Sequence, residues 1–254
     1  MYYIIKKKMK KITTLVLLTF ISSSVLAQSL FVKTESSVEG MPAMVAKLSK
    51  SSSTSFYKDN RVKTEIKTMM FSQVQITETD KVTIFNSAET NCAIITKAEL
   101  LEDSLENDVY ATEVQIEKTN ETKKILGYDC LKTIIRYKVA NTDSKVVGLE
   151  SEMTFWTTTA VIIPKTKQPM PELMKKNALT VAIQSLEGFP MQIETWMKAN
   201  GVKTIGTVTE VNTKDIKESE FELDSKKCKK TMNLKEYKKY LLKKKLESQR
   251  YTGY

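Results

Sequence analysis

The chain alternates between apolar and polar positions in short, regular runs. From Arg61 to Met70, the residues Val62, Thr64, Ile66, Thr68 and Met70 share one side, and Arg61, Lys63, Glu65 and Lys67 share the other. Period two with one polar side predicts an antiparallel strand wetted on one face. Further strands are predicted at Ser29–Glu39, Gln73–Thr77, Val82–Asn86, Thr90–Leu101, Val109–Lys118, Leu131–Val139, Glu152–Ile163 and Met191–Met197, with Lys203–Val211 as the last one's hairpin partner. Turn chemistry separates them at Lys58-Asp59-Asn60, Glu78-Thr79-Asp80-Lys81, Asn120-Glu121-Thr122 and Ala199-Asn200-Gly201. Lys123 to Lys132 predicts a hairpin in the middle of the sheet, bent at Gly127-Tyr128-Asp129. Gly40–Met44 and Lys47–Ser53 read as loops, and Phe221 to Leu223 as a last short strand.

Two stretches leave this period. Pro171 to Leu186 predicts a helix, with proline in the first turn and Glu172 complementing the dipole. Its Leu173, Met174, Ala178, Val181, Ala182 and Leu186 would pack on one sheet face. Asn233 and Glu236 form a capping-box pair that opens a final helix, with an apolar stripe of Leu234, Tyr237, Tyr240 and Leu241 among lysines. Glu99 to Asn107 reads as a helical turn or an exposed loop. The fold class is mainly β with helical additions (α+β).

The N-terminus has a basic start, Lys6 to Lys11, then an apolar run from Ile12 to Leu26, then Val25-Leu26-Ala27 before Gln28. This pattern predicts a signal peptide cleaved after Ala27. The apolar run is about 15 residues, short of the ~20 that a spanning helix needs. The expected organisation is residues 1–27 as signal peptide, 28–230 as the β domain, and 231–254 as a basic helix and tail. The localisation expected is periplasmic or secreted.

Charge and composition narrow the chemistry. Of the 40 basic residues, Lys6, Lys7, Lys8, Lys10 and Lys11 lie in that leader; against 30 acidic residues the rest leaves about +5. So mild an excess, gathered near the C-terminus, does not predict nucleic-acid binding. There is no histidine. Histidine-based triads and histidine zinc sites are therefore excluded. No glycine-rich phosphate loop, GxSxG, HExxH or paired CxxC occurs. A non-catalytic protein without metal or cofactor is expected.

Export permits disulfides among Cys92, Cys130 and Cys228. Three pairings are open. Cys92 and Cys130 both fall in strand-like runs and would be neighbours across a sheet; Cys228 lies among lysines that would lower its pKa.

Three features recur in order: Ile125-Leu126-Gly127-Tyr128-Asp129-Cys130-Leu131-Lys132, then Phe155-Trp156-Thr157-Thr158, then Gly188-Phe189-Pro190-Met191-Gln192-Ile193-Glu194. With Pro171-Glu172-Leu173 before the last, the chain from about Leu30 to Leu223 resembles the exported domain-of-unknown-function 4412 family. More loosely it is similar to exported proteins of the GLPGLI type. The chain departs from the pattern at Trp156-Thr157-Thr158, where a tyrosine often follows the tryptophan, and in its basic C-terminal helix. The resemblance implies a fold like the lipoprotein carriers LolA and LolB: a strongly curved antiparallel sheet, or open half-barrel, with helices across its mouth.

That implication frames two function classes. In the first, a concave sheet binds an apolar ligand, a lipid or the acyl part of a lipoprotein, with Met41, Met44, Tyr128, Phe155, Trp156 and Trp196 as candidate lining. In the second, the protein is a non-catalytic envelope module that meets an envelope protein or an acidic membrane surface through its C-terminal helix. A polar pocket holding convergent carboxylates would favour a third class, an enzyme.

Overall fold

The computed structural model describes residues 29–69, 71–86, 91–100, 109–141, 147–164, 178–213, 215–223 and 228–252. The signal-peptide region and the predicted helix start at Pro171 lie outside them.

The first six strands are β1 (Ser29–Glu39), β2 (Ser51–Lys58), β3 (Arg61–Thr68), β4 (Ser72–Thr77), β5 (Lys81–Asn86) and β6 (Asn91–Thr96). The next five are β7 (Val109–Ile125), β8 (Tyr128–Asn141), β9 (Val147–Thr158), β10 (Phe189–Met197) and β11 (Val202–Asn212), and β12 (Lys230–Met232) is last. They form one open sheet in the order β12-β6-β5-β4-β3-β2-β1-β11-β10-β9-β8-β7. All pairs are antiparallel except β12 with β6. This is the mainly β, unclosed sheet that the alternation and the resemblance predict. Register shifts between β1 and β11, β10 and β9, β8 and β9, and twice between β7 and β8 add bend and twist where extra residues are inserted.

Several sequence expectations shift. The Lys123–Lys132 hairpin forms, but at the sheet edge, because β7 is an outermost strand. Its turn places Leu126 and Gly127 at φ +52° and +82°, the paired positive values of a tight hairpin turn. Asn120-Glu121-Thr122 is no turn; it lies within β7 beside a register shift. Residues 43–48 form helix α1 (Ala43–Leu48) rather than a loop, and β2 begins at Ser51 inside the expected polar loop. Phe221 ends a 3-10 turn (Glu218–Phe221) instead of entering a strand. Its ring packs under the Arg61 guanidinium at 4.8 Å.

Helix α2 (Ala178–Gln184) buries Ala182 against Ile135 of β8 and Phe155 of β9. Leu179, Ile183 and Leu186 extend that contact; Val181 points away from it and is exposed. Helix α3 (Leu234–Thr252) starts with the predicted cap: Glu236 N–H donates to Asn233 Oδ1 at 2.9 Å, and Asn233 N–H donates to Glu236 Oε2 at 3.2 Å. Just before α3, β12 (Lys230–Met232) pairs with β6.

The main core joins Leu30 and Val32 of β1 to Cys130, Trp156, Phe189, Met191 and Val208. Burying each such apolar side chain contributes roughly 1.5–3 kcal/mol. The disulfide joins Cys92 to Cys228, and Cys130 is a buried free thiol. The Cys92–Cys130 pairing is thus corrected. β6 and β8 are each second from opposite edges of the sheet, out of reach of one another.

Candidate functional site

Strand parity divides the six candidate residues. Phe155, 2% exposed, faces α2. Its neighbour Trp156 faces the other way, since successive side chains on a strand alternate. The two cannot line one hollow. Met44 is 77% exposed on α1, Met41 is half-buried after β1, and Tyr128 packs against the main core. The structure brings together Trp156 and Trp196.

Those two residues share a pocket of about 400 Å³ with Lys132, Glu152, Thr154, Glu194 and Lys203. Register explains the grouping. Trp156 stands opposite Gln192 and Lys132, Glu194 opposite Thr154 and Ile205, and Trp196 opposite Glu152 and Lys203. The tryptophan and its acidic neighbours follow period two: Glu152, Thr154 and Trp156 on β9, Glu194 and Trp196 on β10. Alternation alone offered that signal. The lysines carried none, because Lys132 and Lys203 arrive through strand pairing.

The pocket holds two carboxylates, Glu152 and Glu194, the feature that would favour an enzyme, but each is paired with a cation, Arg136 and Lys203. Arg136 Nε donates to Glu152 at 3.0 Å and its Nη1 to Glu117 at 2.5 Å. Its hydrogen bonds to Glu117 first, then to Glu152, raise the Arg136 pKa against the opposing effect of burial. Lys132 bridges to Glu121 at 3.0 Å, and Lys203 to Glu194. Burial alone would raise the Glu194 carboxyl, but the Lys203 bond and charge, with Lys123 and Trp156, hold it below its ordinary range. Lys123 lies above the Trp156 ring, 4.0 Å from its centroid, and donates to Gln192 at 2.8 Å. Desolvation lowers the Lys123 pKa, against the pull of Glu194.

Trp156 is 9% exposed, and among the described residues its indole N–H has no acceptor in normal hydrogen-bond geometry. It lies close enough to Glu194 to help hold that carboxylate low, without making such a bond. Trp196 is 41% exposed, with the Lys198 ammonium 5.7 Å from its ring centroid.

The opposite face of β7–β10 is apolar. Ile135, Phe155, Met153 and Ile193 meet α2 there. Ile116, Leu131, Leu149 and Met197 share that face by register and are exposed, and Val181 is exposed on the helix itself. Sequence reading places none of these five in a ligand site, and it packs Val181 against the sheet; which of them stay exposed depends on where the helix lands.

A family model described as Domain of unknown function (DUF4412) matches residues 35–226. The chain belongs to the DUF4412 family. No curated protein matches it in sequence. Among solved structures, PNGF-II is similar at 14% identity and a TM-score of 0.44, covering 85% of this chain; the chain spans only 34% of that structure's length. Lipoprotein LppX of Mycobacterium tuberculosis is similar at 12% identity and a TM-score of 0.37, covering 79% of this chain and 97% of that one. A LolA superfamily protein from Nitrosomonas europaea is similar at 8% identity and a TM-score of 0.34, covering 79% and 92%. No ligand follows for this DUF4412 member from these likenesses.

Proposed function

We propose that this DUF4412 protein is an exported, non-catalytic binding protein that takes an acyl chain between α2 and the apolar face of β7–β10. One observation carries the reading. Among the described residues, α2 covers only part of that face, and Ile116, Leu131, Leu149 and Met197 on the sheet and Val181 on the helix are exposed. Exposed apolar side chains gathered on one face of a sheet suit something equally apolar. The Cys92–Cys228 disulfide supports passage through an oxidising compartment. Cleavage after Ala27 belongs to the same proposal; the mature protein's intact mass should begin at Gln28.

The test combines native mass spectrometry of protein from its own envelope with titration of a fluorescent fatty acid. A co-purified lipid and saturable uptake are expected, with affinity falling about tenfold in Leu131→Glu, where an exposed apolar position gains a charge. Absence of both bound lipid and saturable uptake overturns the reading.

A second reading has its own observation. On α3, Leu241 and Leu242 are exposed beside Lys238, Lys239 and Lys243. Apolar residues flanked by lysines fit an acidic membrane surface. Co-sedimentation with anionic vesicles, abolished by Leu241→Ser with Leu242→Ser, would favour this interaction role.

A further inference from the structure

We infer that the tryptophan pocket on the polar face of β8–β11 is a binding site for a neutral saccharide. It lies on the face of the sheet opposite α2, so it stands or falls independently of acyl binding. The volume of about 400 Å³ falls within the range of small-ligand sites.

Two features select the ligand class. The first is ring exposure. Trp156 is buried, its indole N–H is out of reach of solvent and lies toward Glu194, and Lys123 covers its face at 4.0 Å, so it forms pocket wall. Trp196 is 41% exposed, with the Lys198 ammonium 5.7 Å from its ring centroid, and its open apolar surface suits the C–H face of a sugar ring. The second is charge. Glu152 and Glu194 are each held by a cation, Arg136 and Lys203, and Lys132 is held by Glu121. With these charges matched internally, a strongly ionic ligand gains little. A ligand with several hydroxyls gains donors and acceptors at once from Glu152, Glu194, Lys132, Lys203 and Thr154.

The chain contains two tryptophans, and both line this pocket. Intrinsic tryptophan emission therefore reads this site alone. Cellobiose, maltose and N,N′-diacetylchitobiose are titrated separately into the full mature protein. At least one should shift the emission saturably. Trp196→Ala should weaken that affinity by about tenfold or more, with Trp156 still reporting, and Trp196→Tyr should recover much of the loss. Unchanged thermal midpoints establish that the variants fold. The inference is overturned if none of the three sugars shifts the emission up to its solubility limit. It is equally overturned if the affinity is unchanged in folded Trp196→Ala, or if inorganic phosphate shifts the emission and the sugars do not. Uptake of the fluorescent fatty acid should be unaffected by Trp196→Ala; a parallel loss of both would place the two ligands in one site and overturn the assignment.

Discussion

Leu126 sits at φ +52° in the β7–β8 turn, where an L residue with a full side chain pays roughly 1–2 kcal/mol in steric strain. Leu126→Gly or Leu126→Asn should therefore raise stability by about 1 kcal/mol, read as a higher urea midpoint with unchanged slope. The half-exposed leucine makes little packing contribution to set against that gain. Glu194 gives a pH signature. Its pKa is depressed in the folded protein despite burial, chiefly through Lys203. The stability it contributes is present above the ordinary carboxylate range and is lost as pH falls through the depressed value. Glu194→Gln should flatten that part of the acid unfolding curve, measured by thermal midpoints across acidic pH. At this scale the sequence was legible where chemistry is local. The Asn233–Glu236 cap is an example, being written within four residues. Lys132 and Lys203 were not legible, because their place beside the tryptophans depends on register between distant strands.

Elements show the same division. The strands over Ser29–Glu39 and Arg61–Thr68 were readable because period two persists for eight residues or more. β12 was not, since three residues carry no period and its parallel pairing is dictated by β6. Near that pair, Cys92 and Cys228 tie positions 136 residues apart. Constraining so long a loop contributes about 2–5 kcal/mol in proteins where such a bond is removed. Reduction with dithiothreitol, or Cys92→Ser with Cys228→Ser, should lower the thermal midpoint by a matching amount. The segment just before Cys228 is also pinned to β2 and β3: Lys58 donates to the Ile216 carbonyl at 2.6 Å, and Glu218 pairs with Arg61. Hydrogen exchange should rise first at Ile216 and Glu218–Phe221 when the disulfide is opened.

Across the whole molecule, the sheet is built from two runs of sequential neighbours, β1 to β6 and β7 to β11, that meet where β1 pairs with β11. The alternation announced the strands and their antiparallel hairpins. It said nothing of this meeting, which joins Val32 to Val211 and Ser36 to Gly206 across the chain. Its central position makes a strong prediction. Glu35→Pro, at the junction, should depress the thermal midpoint far more than Glu121→Pro on the edge strand β7, because only the first removes a backbone donor inside the sheet.

The pairing of β1 with β11 also has a consequence during synthesis. The amino-terminal half can complete its own hairpins as it emerges, yet one flank of β1 stays bare until some 165 further residues have appeared. A naked β flank is a template for the wrong neighbour. A nascent chain of this kind would therefore lean on a holding chaperone longest in the interval before β11 arrives, and truncations ending ahead of Val202 should aggregate most.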